Sequence, residues 1–225
     1  MAHRYLGNNW ITQLPEDVRD ATLALMTTRS YSKGETIYQE GQVPHALWQV
    51  ARGRVKLTNT HIDGKEVVFV IFEAGDCFGE LSMIDDKPSS NTATATENTE
   101  LLELKRSDFN RLYQEYPEIP KQLNALLAER MRHMVSFYES MALRPLESRL
   151  AHRLCYLTGN LPGKNTISPP ATEVTITQQD IGSMLGATRQ AVSKILNEWR
   201  DENVIAIEYG KITIIDTDHL ANLAI

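Results

Sequence analysis

Four side chains near the C-terminus, Arg189, Gln190, Ser193 and Lys194, have the types and spacing to read a polymer of bases and phosphates. Arginine's planar fork matches two acceptors on one base edge, glutamine donates and accepts together, and serine and lysine reach phosphate oxygens. This is recognition chemistry. The chain shows no nucleophile–base arrangement, no phosphate-cradling glycine loop with its lysine, and no metal-ligand spacing, so an enzyme is not expected.

To act together these groups must share one face of a rigid element. Thr188 is a helix cap, and behind it Val192, Ile195, Leu196 and Trp199 fall at i, i+3, i+4 and i+7. That spacing predicts an amphipathic helix with the four polar residues and Asn197 opposite the stripe. Upstream, Thr177 caps a first helix with Asp180 as its box partner, Ile181 and Leu185 face inward, and Gly186 stops it. Thr175–Trp199 therefore reads as two helices and a tight turn, with Thr177, Gln178 and Gln179 set to anchor a phosphate backbone and the second helix of a width that fits a major groove. A plain helical hairpin with a solvated face would look the same. The residues after Trp199 separate the two possibilities: Val204–Ile207 and Lys211–Ile215 flank Glu208-Tyr209-Gly210 and predict a hairpin wing, with Lys211 where it can touch phosphate.

The charge balance agrees. The 225 residues carry 23 Lys and Arg against 29 Asp and Glu, a net −6, which is not the balance of a general nucleic-acid coat protein. From Leu143 onward there are 8 basic and 9 acidic residues, and before it 15 and 20, so most of the acidity lies in front. Within Thr188–Arg200 the cations Arg189, Lys194 and Arg200 face only Glu198, a local excess that suits docking on DNA. The length suffices for two domains. Cys77 and Cys155 stand alone without a CxxC, and the six histidines are scattered, so neither a disulfide framework nor a metal site is expected. No signal peptide or long apolar run opens the sequence, and a reducing cytoplasm without membrane association is the expectation.

The segments that carry this reading head are of two kinds. Trp10–Thr27 has helical spacing. From Tyr31 to Lys105 glycines recur at 34, 41, 53, 64, 75 and 79 between short β-rich runs such as Leu47–Val50, Val55–Thr58 and Val67–Phe72, the pattern of an antiparallel roll. His61-Ile62-Asp63-Gly64 reads as a hairpin turn and Leu101–Leu104 as a closing strand. Phe78-Gly79-Glu80-Leu81-Ser82-Met83 follows a strand and opens a helical turn, where backbone amides can receive an anion or Glu80 can accept from ligand hydroxyls. A tight bend capped by Glu80 gives the same pattern. After Pro117 a glycine-free helix runs to Met141 with Pro120 harmless in its first turn. Leu127, Met131, Met134, Tyr138 and Met141 repeat with 4-3-4-3 spacing, a seam for a second copy of the chain or for the helix's own roll. The stripe is wide enough to favour the second copy. Leu143-Arg144-Pro145 then breaks the helix, Pro145 suits the first position of the next one over Leu146–Leu157, and a hinge is expected at 142–144.

Five blocks in order carry a family resemblance: Gly34-Glu35-Thr36-Ile37-Tyr38-Gln39-Glu40-Gly41, Gly53-Arg54-Val55, Gly75-Asp76-Cys77-Phe78-Gly79-Glu80, Thr99-Glu100-Leu101-Leu102, and the winged helix pair. From about Leu14 to about Asp216 the chain resembles the bacterial transcription regulators that include the cAMP receptor protein and the oxygen sensor FNR. The resemblance implies an α+β fold with a cyclic-nucleotide-binding-type β-roll over 1–115, a dimerisation helix and hinge over 116–142, and a winged helix-turn-helix over 143–225. It implies a homodimer on an inverted-repeat promoter site, with double-stranded DNA, a second copy and RNA polymerase as partners. A nucleotide-binding regulatory subunit that does not read DNA is the alternative, and it leaves Thr175–Ile215 without a purpose. In the family the second motif helix opens with Ser or Thr, then Arg, then a polar residue, with a basic residue further on, and Thr188, Arg189, Gln190 and Lys194 stand there. Gln190 takes the place of a commoner glutamate, which points the base preferred there toward adenine although glutamine tolerates several bases, and Lys194 takes that of an arginine and can serve a base or a phosphate.

The effector site departs from that pattern. The resemblance makes Gly79, Glu80, Leu81, Ser89, Ser90, Arg130 and Met134 the candidate pocket, but Ser89 stands where cAMP-binding relatives have the arginine that neutralises the cyclic phosphate. Met134 and Val135 fall where two hydroxyl side chains meet the adenine. cAMP bound in the usual way is therefore not expected, and the pocket is left to another effector, to its own side chains, or empty. The cysteine cluster of the oxygen sensors has no counterpart near the N-terminus. For haem, Cys77 and His133 are the available ligands and no supporting motif surrounds them, so none is expected.

Overall fold

The computed structural model describes residues 9–159 and 172–224, so the first eight positions of the expected roll domain lie outside it. Packing divides the chain into two compact units that meet inside the long helix, one ending at Arg132 and the other beginning at His133.

The first unit opens with a 3-10 turn at Ile11–Gln13 and helix α1, Glu16–Ala24, in the region of helical spacing. Eight strands follow: β1 Thr27–Tyr31, β2 Thr36–Tyr38, β3 Ala46–Arg52, β4 Val55–Thr60, β5 Glu66–Phe72, β6 Cys77–Phe78, β7 Thr92–Ala95 and β8 Thr99–Lys105. They form two four-stranded antiparallel sheets, ordered β1-β8-β3-β6 and β2-β7-β4-β5. Helix α2, Glu80–Asp85, interrupts them after β6, and α3, Arg106–Glu115, leads into α4, Glu118–Leu143.

Alternation along β3 explains the layering. Its odd and even side chains enter different cores: Trp48 and Val50 pack between the sheets with Tyr38, Phe72, Phe78 and Leu101, while Leu47 packs outward with Trp10, Phe109, Leu112, Ile119, Leu123 and Leu126. Five residues in succession are buried, since both faces of the strand are covered. Tyr38, Trp48 and Phe78 stack with ring centroids 5.4–5.5 Å apart along the pile, and Phe72 adds a fourth ring 5.3 Å from Phe78.

In the second unit α4 completes its last turns, and α5, Leu146–Thr158, starts one residue after Pro145, which serves as the cap residue and not the first helical one. Arg144, between the two helices, donates to the Ala224 carbonyl at the end of α8, Thr217–Leu223. Between α5 and α8 lie β9 Glu173–Thr175, α6 Gln178–Leu185, α7 Arg189–Asp201, β10 Ile205–Glu208 and β11 Lys211–Ile214. The predicted hairpin is β10 and β11, and β9, unforeseen in the sequence, adds a third strand against β11. No described helix is long and apolar enough to cross a membrane.

Candidate nucleic-acid interface and effector pocket

The helix pair is built from its caps. Thr177 Oγ1 accepts from the Asp180 amide at 3.0 Å and donates to Asp180 Oδ2 at 2.6 Å, and Thr188 Oγ1 accepts from the Ala191 amide at 3.1 Å. Between them Gly186, at φ +61°, ends α6 in the left-handed region. The turn closes on Gly182, whose carbonyl accepts from Ala187 at 2.9 Å and on which a methyl group would stand 2.8 Å from the Ala187 carbonyl oxygen. Val192, Leu196 and Trp199 are buried, and the Trp199 indole donates to Glu147 of α5 at 3.2 Å.

That seating of α7 leaves the opposite face outward. Arg189, Gln190 and Lys194 are exposed and Ser193 half-buried, its Oγ 3.4 Å from Asn197 Nδ2. Lys194 lies 3.9 Å from Glu198, both well exposed, a pairing weak enough to be exchanged for a better partner. At the start of α6 Thr177 and Gln179 are exposed and Gln178 is half-buried. Lys211, expected where it can touch phosphate, is paired within the wing. It sits opposite Thr175, and its Nζ is 2.7 Å from Glu173 Oε1, a hydrogen bond that raises its pKa. Glu173 belongs to the short strand β9, so periodicity gave no sign of it.

The second candidate site lies in the first unit. Gly79, at φ +88°, turns the chain from β6 into α2 with the Trp48 ring so close that a methyl group would meet it at 3.0 Å. Glu80, the next residue, is 2% exposed. Arg130, from α4, reaches its Oε1 with Nη1, donates from Nη2 to the Cys77 carbonyl at 3.1 Å, and lies 5.9 Å over the Phe72 ring. Glu80 Oε2 stays enclosed with no hydrogen-bond donor among the described residues.

Ser89 is half-buried and satisfied locally, donating to the Asn91 carbonyl at 2.8 Å and accepting from its amide at 3.3 Å. Beside it is Tyr38, whose phenol is raised by burial and by Glu80. Asn59 of β4 donates to the Ser90 carbonyl at 2.8 Å and buries its own Oδ1 without a partner among the described residues. The structure thus brings Glu80, Arg130, Tyr38, Ser89 and Asn59 into one region. It turns Leu81 outward, 54% exposed, and leaves Ser90 and Met134 exposed as well. Nothing in the sequence signals that Tyr38 and Asn59 face this pocket, because a strand tyrosine or asparagine carries no mark of the loop it will face.

The two residues weighed as haem ligands are packed. Burial raises the Cys77 thiol, and the His133 ring sits edge-on to Tyr156 at 5.0 Å. Among the described residues no three His, Cys, Asp or Glu side chains gather as a metal site.

Along α4 the apolar positions divide. Leu123 and Leu126 are buried in the roll's core, whereas Met131, Met134, Val135 and Tyr138 are 57–75% exposed. Leu127 and Met141, the ends of the predicted seam, are half-buried in their own chain.

Comparison with known proteins gives two domain matches: residues 28–116 to the cyclic nucleotide-binding domain and residues 148–223 to the Crp-like helix-turn-helix domain. The cyclic AMP receptor protein of Thermus thermophilus is 30% identical over 210 residues, 93% of this chain and 93% of that protein. A CRP-like cAMP-activated global transcriptional regulator of Mycobacterium tuberculosis is 27% identical, covering 93% and 95%. Among solved structures the Thermus thermophilus catabolite activator protein aligns with a TM-score of 0.52 at 29% identity over 96% of this chain and 98% of that one. FixK2 from Bradyrhizobium japonicum reaches a TM-score of 0.78 at 23% identity, covering 89% and 98%, a likeness of fold.

Proposed function

Because this chain belongs to the cyclic AMP receptor protein family of transcription regulators, we propose that α7 is its base-reading helix, entering the major groove with Arg189 and Gln190 on base edges. The chain is a DNA-binding transcription regulator with a family dimer; its relatives are regulators and not enzymes. The observation that carries the finer reading is the exposed row Arg189, Gln190 and Lys194 opposite a fully buried Val192–Leu196–Trp199 stripe. Arg189 takes guanine by its fork, Gln190 favours adenine, Lys194 serves base or phosphate, and Ser193 stands between them. Thr177, Gln178, Gln179 and Thr188 hold the backbone, with Lys211 joining once it shares or leaves Glu173. Two copies paired along Leu127, Met131, Met134, Tyr138 and Met141 would set their reading helices about 34 Å apart, one duplex turn, on an inverted repeat. RNA polymerase is the partner through which such binding acts on a promoter.

For the pocket we take an effector other than conventionally bound cAMP, or none. Arg130 is the cation beside the pocket and is already committed to Glu80, while Ser89 closes on its own loop. A cyclic phosphate buried there would lack a charge-assisted, two-pronged partner, a loss of about 1.5–3 kcal/mol.

An anisotropy titration against enriched and random duplexes tests the first reading. Arg189→Ala is expected to lose about 1–3 kcal/mol of discrimination, and Lys194→Ala to weaken both duplexes alike. Full sequence preference in Arg189→Ala would refute the assignment. A thermal-shift screen of cyclic mono- and dinucleotides tests the second, with no stabilisation by cAMP expected; a saturable cAMP shift that strengthens DNA binding would overturn it.

A further inference from the structure

We propose that Met141 and Arg149 form a joint that fixes the angle between the last turn of α4 and the reading helix pair, and that both are positioning residues for DNA binding. The proposal extends the two-copy reading above. Met141 continues the 4-3-4-3 spacing of the seam, yet it is half-buried in its own chain while Met131 and Met134 are open. Its methyl end reaches the turn of the helix-turn-helix, where a methyl group built on Gly186 would touch Met141 Cε at 3.7 Å.

Arg149, on α5, closes the contact from the other side. Its Nη1 lies 3.2 Å from Met141 Sδ and 3.2 Å from the Leu185 carbonyl, the last residue of α6. A guanidinium there satisfies a carbonyl the helix cannot use itself and meets the negative end of the helix dipole. One turn along α5, Arg153 repeats the grip on the preceding residue, with Nη2 3.2 Å from Met184 Sδ and its guanidinium 5.1 Å over the Tyr156 ring. Burial lowers Arg153 to about 10, which leaves it charged at neutral pH. Two arginines a helical turn apart thus hold consecutive residues at the end of α6, and the nearer one also holds the long helix.

The contact at Met141 Sδ and Leu185 O has a directional consequence. A helix that pairs with a second copy fixes where α4 points, and the Arg149 link transmits that direction to α6 and α7. Without it α7 keeps its own fold and side chains, so a single half-site is still read, but the two reading heads lose their fixed separation. The affected quantity is the selectivity for half-site spacing.

The test uses the full chain with nitroxide labels at Glu139→Cys on α4 and Asp201→Cys at the end of α7, diluted with unlabelled chain so that only intramolecular distances register. Both native thiols are buried, and Cys155 is pushed up to about 11, so they do not compete for label. The unsubstituted joint is expected to give one narrow distance and Arg149→Gln a clearly broadened one. In parallel, affinity for the correctly spaced inverted repeat should fall about tenfold in Arg149→Gln, with half-site affinity within about twofold and the spacing dependence flattened. Arg149→Lys, which keeps one charged donor for Leu185, should recover part of both. Met141→Ser opens the same contact from the α4 side and decides the matter if Arg149→Gln melts too early. A distance that stays narrow in both variants overturns the joint, as does a half-site loss as large as the full-site loss. If the parent chain itself binds half-site and inverted repeat equally, the two-copy reading fails, and the distance measurement still judges the joint.

Discussion

A carboxylate as enclosed as Glu80 has to be offset by a cation, and the nearest one comes from 50 residues away, on α4. The pair is unequal, since the Glu80 side chain is 2% exposed and that of Arg130 27%. Removing the arginine strands the more buried charge. Arg130→Leu is therefore expected to destabilise the roll by about 3–5 kcal/mol in denaturant melts, whereas Glu80→Leu with Arg130→Leu should recover most of that loss. A cost under about 1 kcal/mol for the single variant would mean the pair behaves as an exposed one. Both residues were legible as pocket candidates from sequence. Their contact was not, because spacing along a chain does not report which strand end a helix will cross. Ser89 shows the same limit: nothing along the chain tells that its hydroxyl turns back onto Asn91.

Among the elements, the helix pair was the most readable, since caps, a stop glycine and a 3.6-residue stripe are all local signals. Thr177, Thr188, Gly186 and Trp199 do in the structure what their types suggested. The wing was half readable: β10 and β11 are β-branched runs around a turn, while β9 is a three-residue strand whose only reason to be one is β11 beside it. Gly182 carries no sequence signal of its role, because a glycine inside a helix normally counts as a cost and not a requirement. Here it is where α6 meets the turn, and a Cβ would stand 2.8 Å from a backbone oxygen that cannot swing aside. Gly182→Ala should destabilise the second unit by about 1–3 kcal/mol in thermal or denaturant melts and weaken DNA binding with it. Gly210→Ala is the comparison, at φ +70° with open space around the site, where backbone strain of about 1–2 kcal/mol is the whole effect and α7 is undisturbed. Equal effects of the two on DNA binding would show that the turn tolerates the crowding.

At the scale of the whole molecule, α4 must satisfy two surfaces with one stripe. Its first turns give Ile119, Leu123 and Leu126 to the roll's core, and its later turns leave Met131, Met134, Val135 and Tyr138 more than half exposed. The heptad spacing was legible and the handover between the two surfaces was not, since leucine and methionine read alike until burial separates them. Exposed apolar groups of this size in a row are costly in water, and in the pairing proposed above a second α4 would cover them. Charge placed at the most exposed position of that row should therefore separate the copies without touching the reading head. Tyr138→Glu is expected to shift the sedimentation coefficient from dimer to monomer at micromolar concentration, while the melting of each unit changes little, because the side chain makes little contact with its own chain. Affinity for an inverted repeat should then fall by about a hundredfold as the second half-site ceases to be an intramolecular partner, with single half-site affinity preserved. A Tyr138→Glu chain that still sediments as a dimer would put the seam on another surface, and the spacing between reading helices would have to be derived from that surface instead.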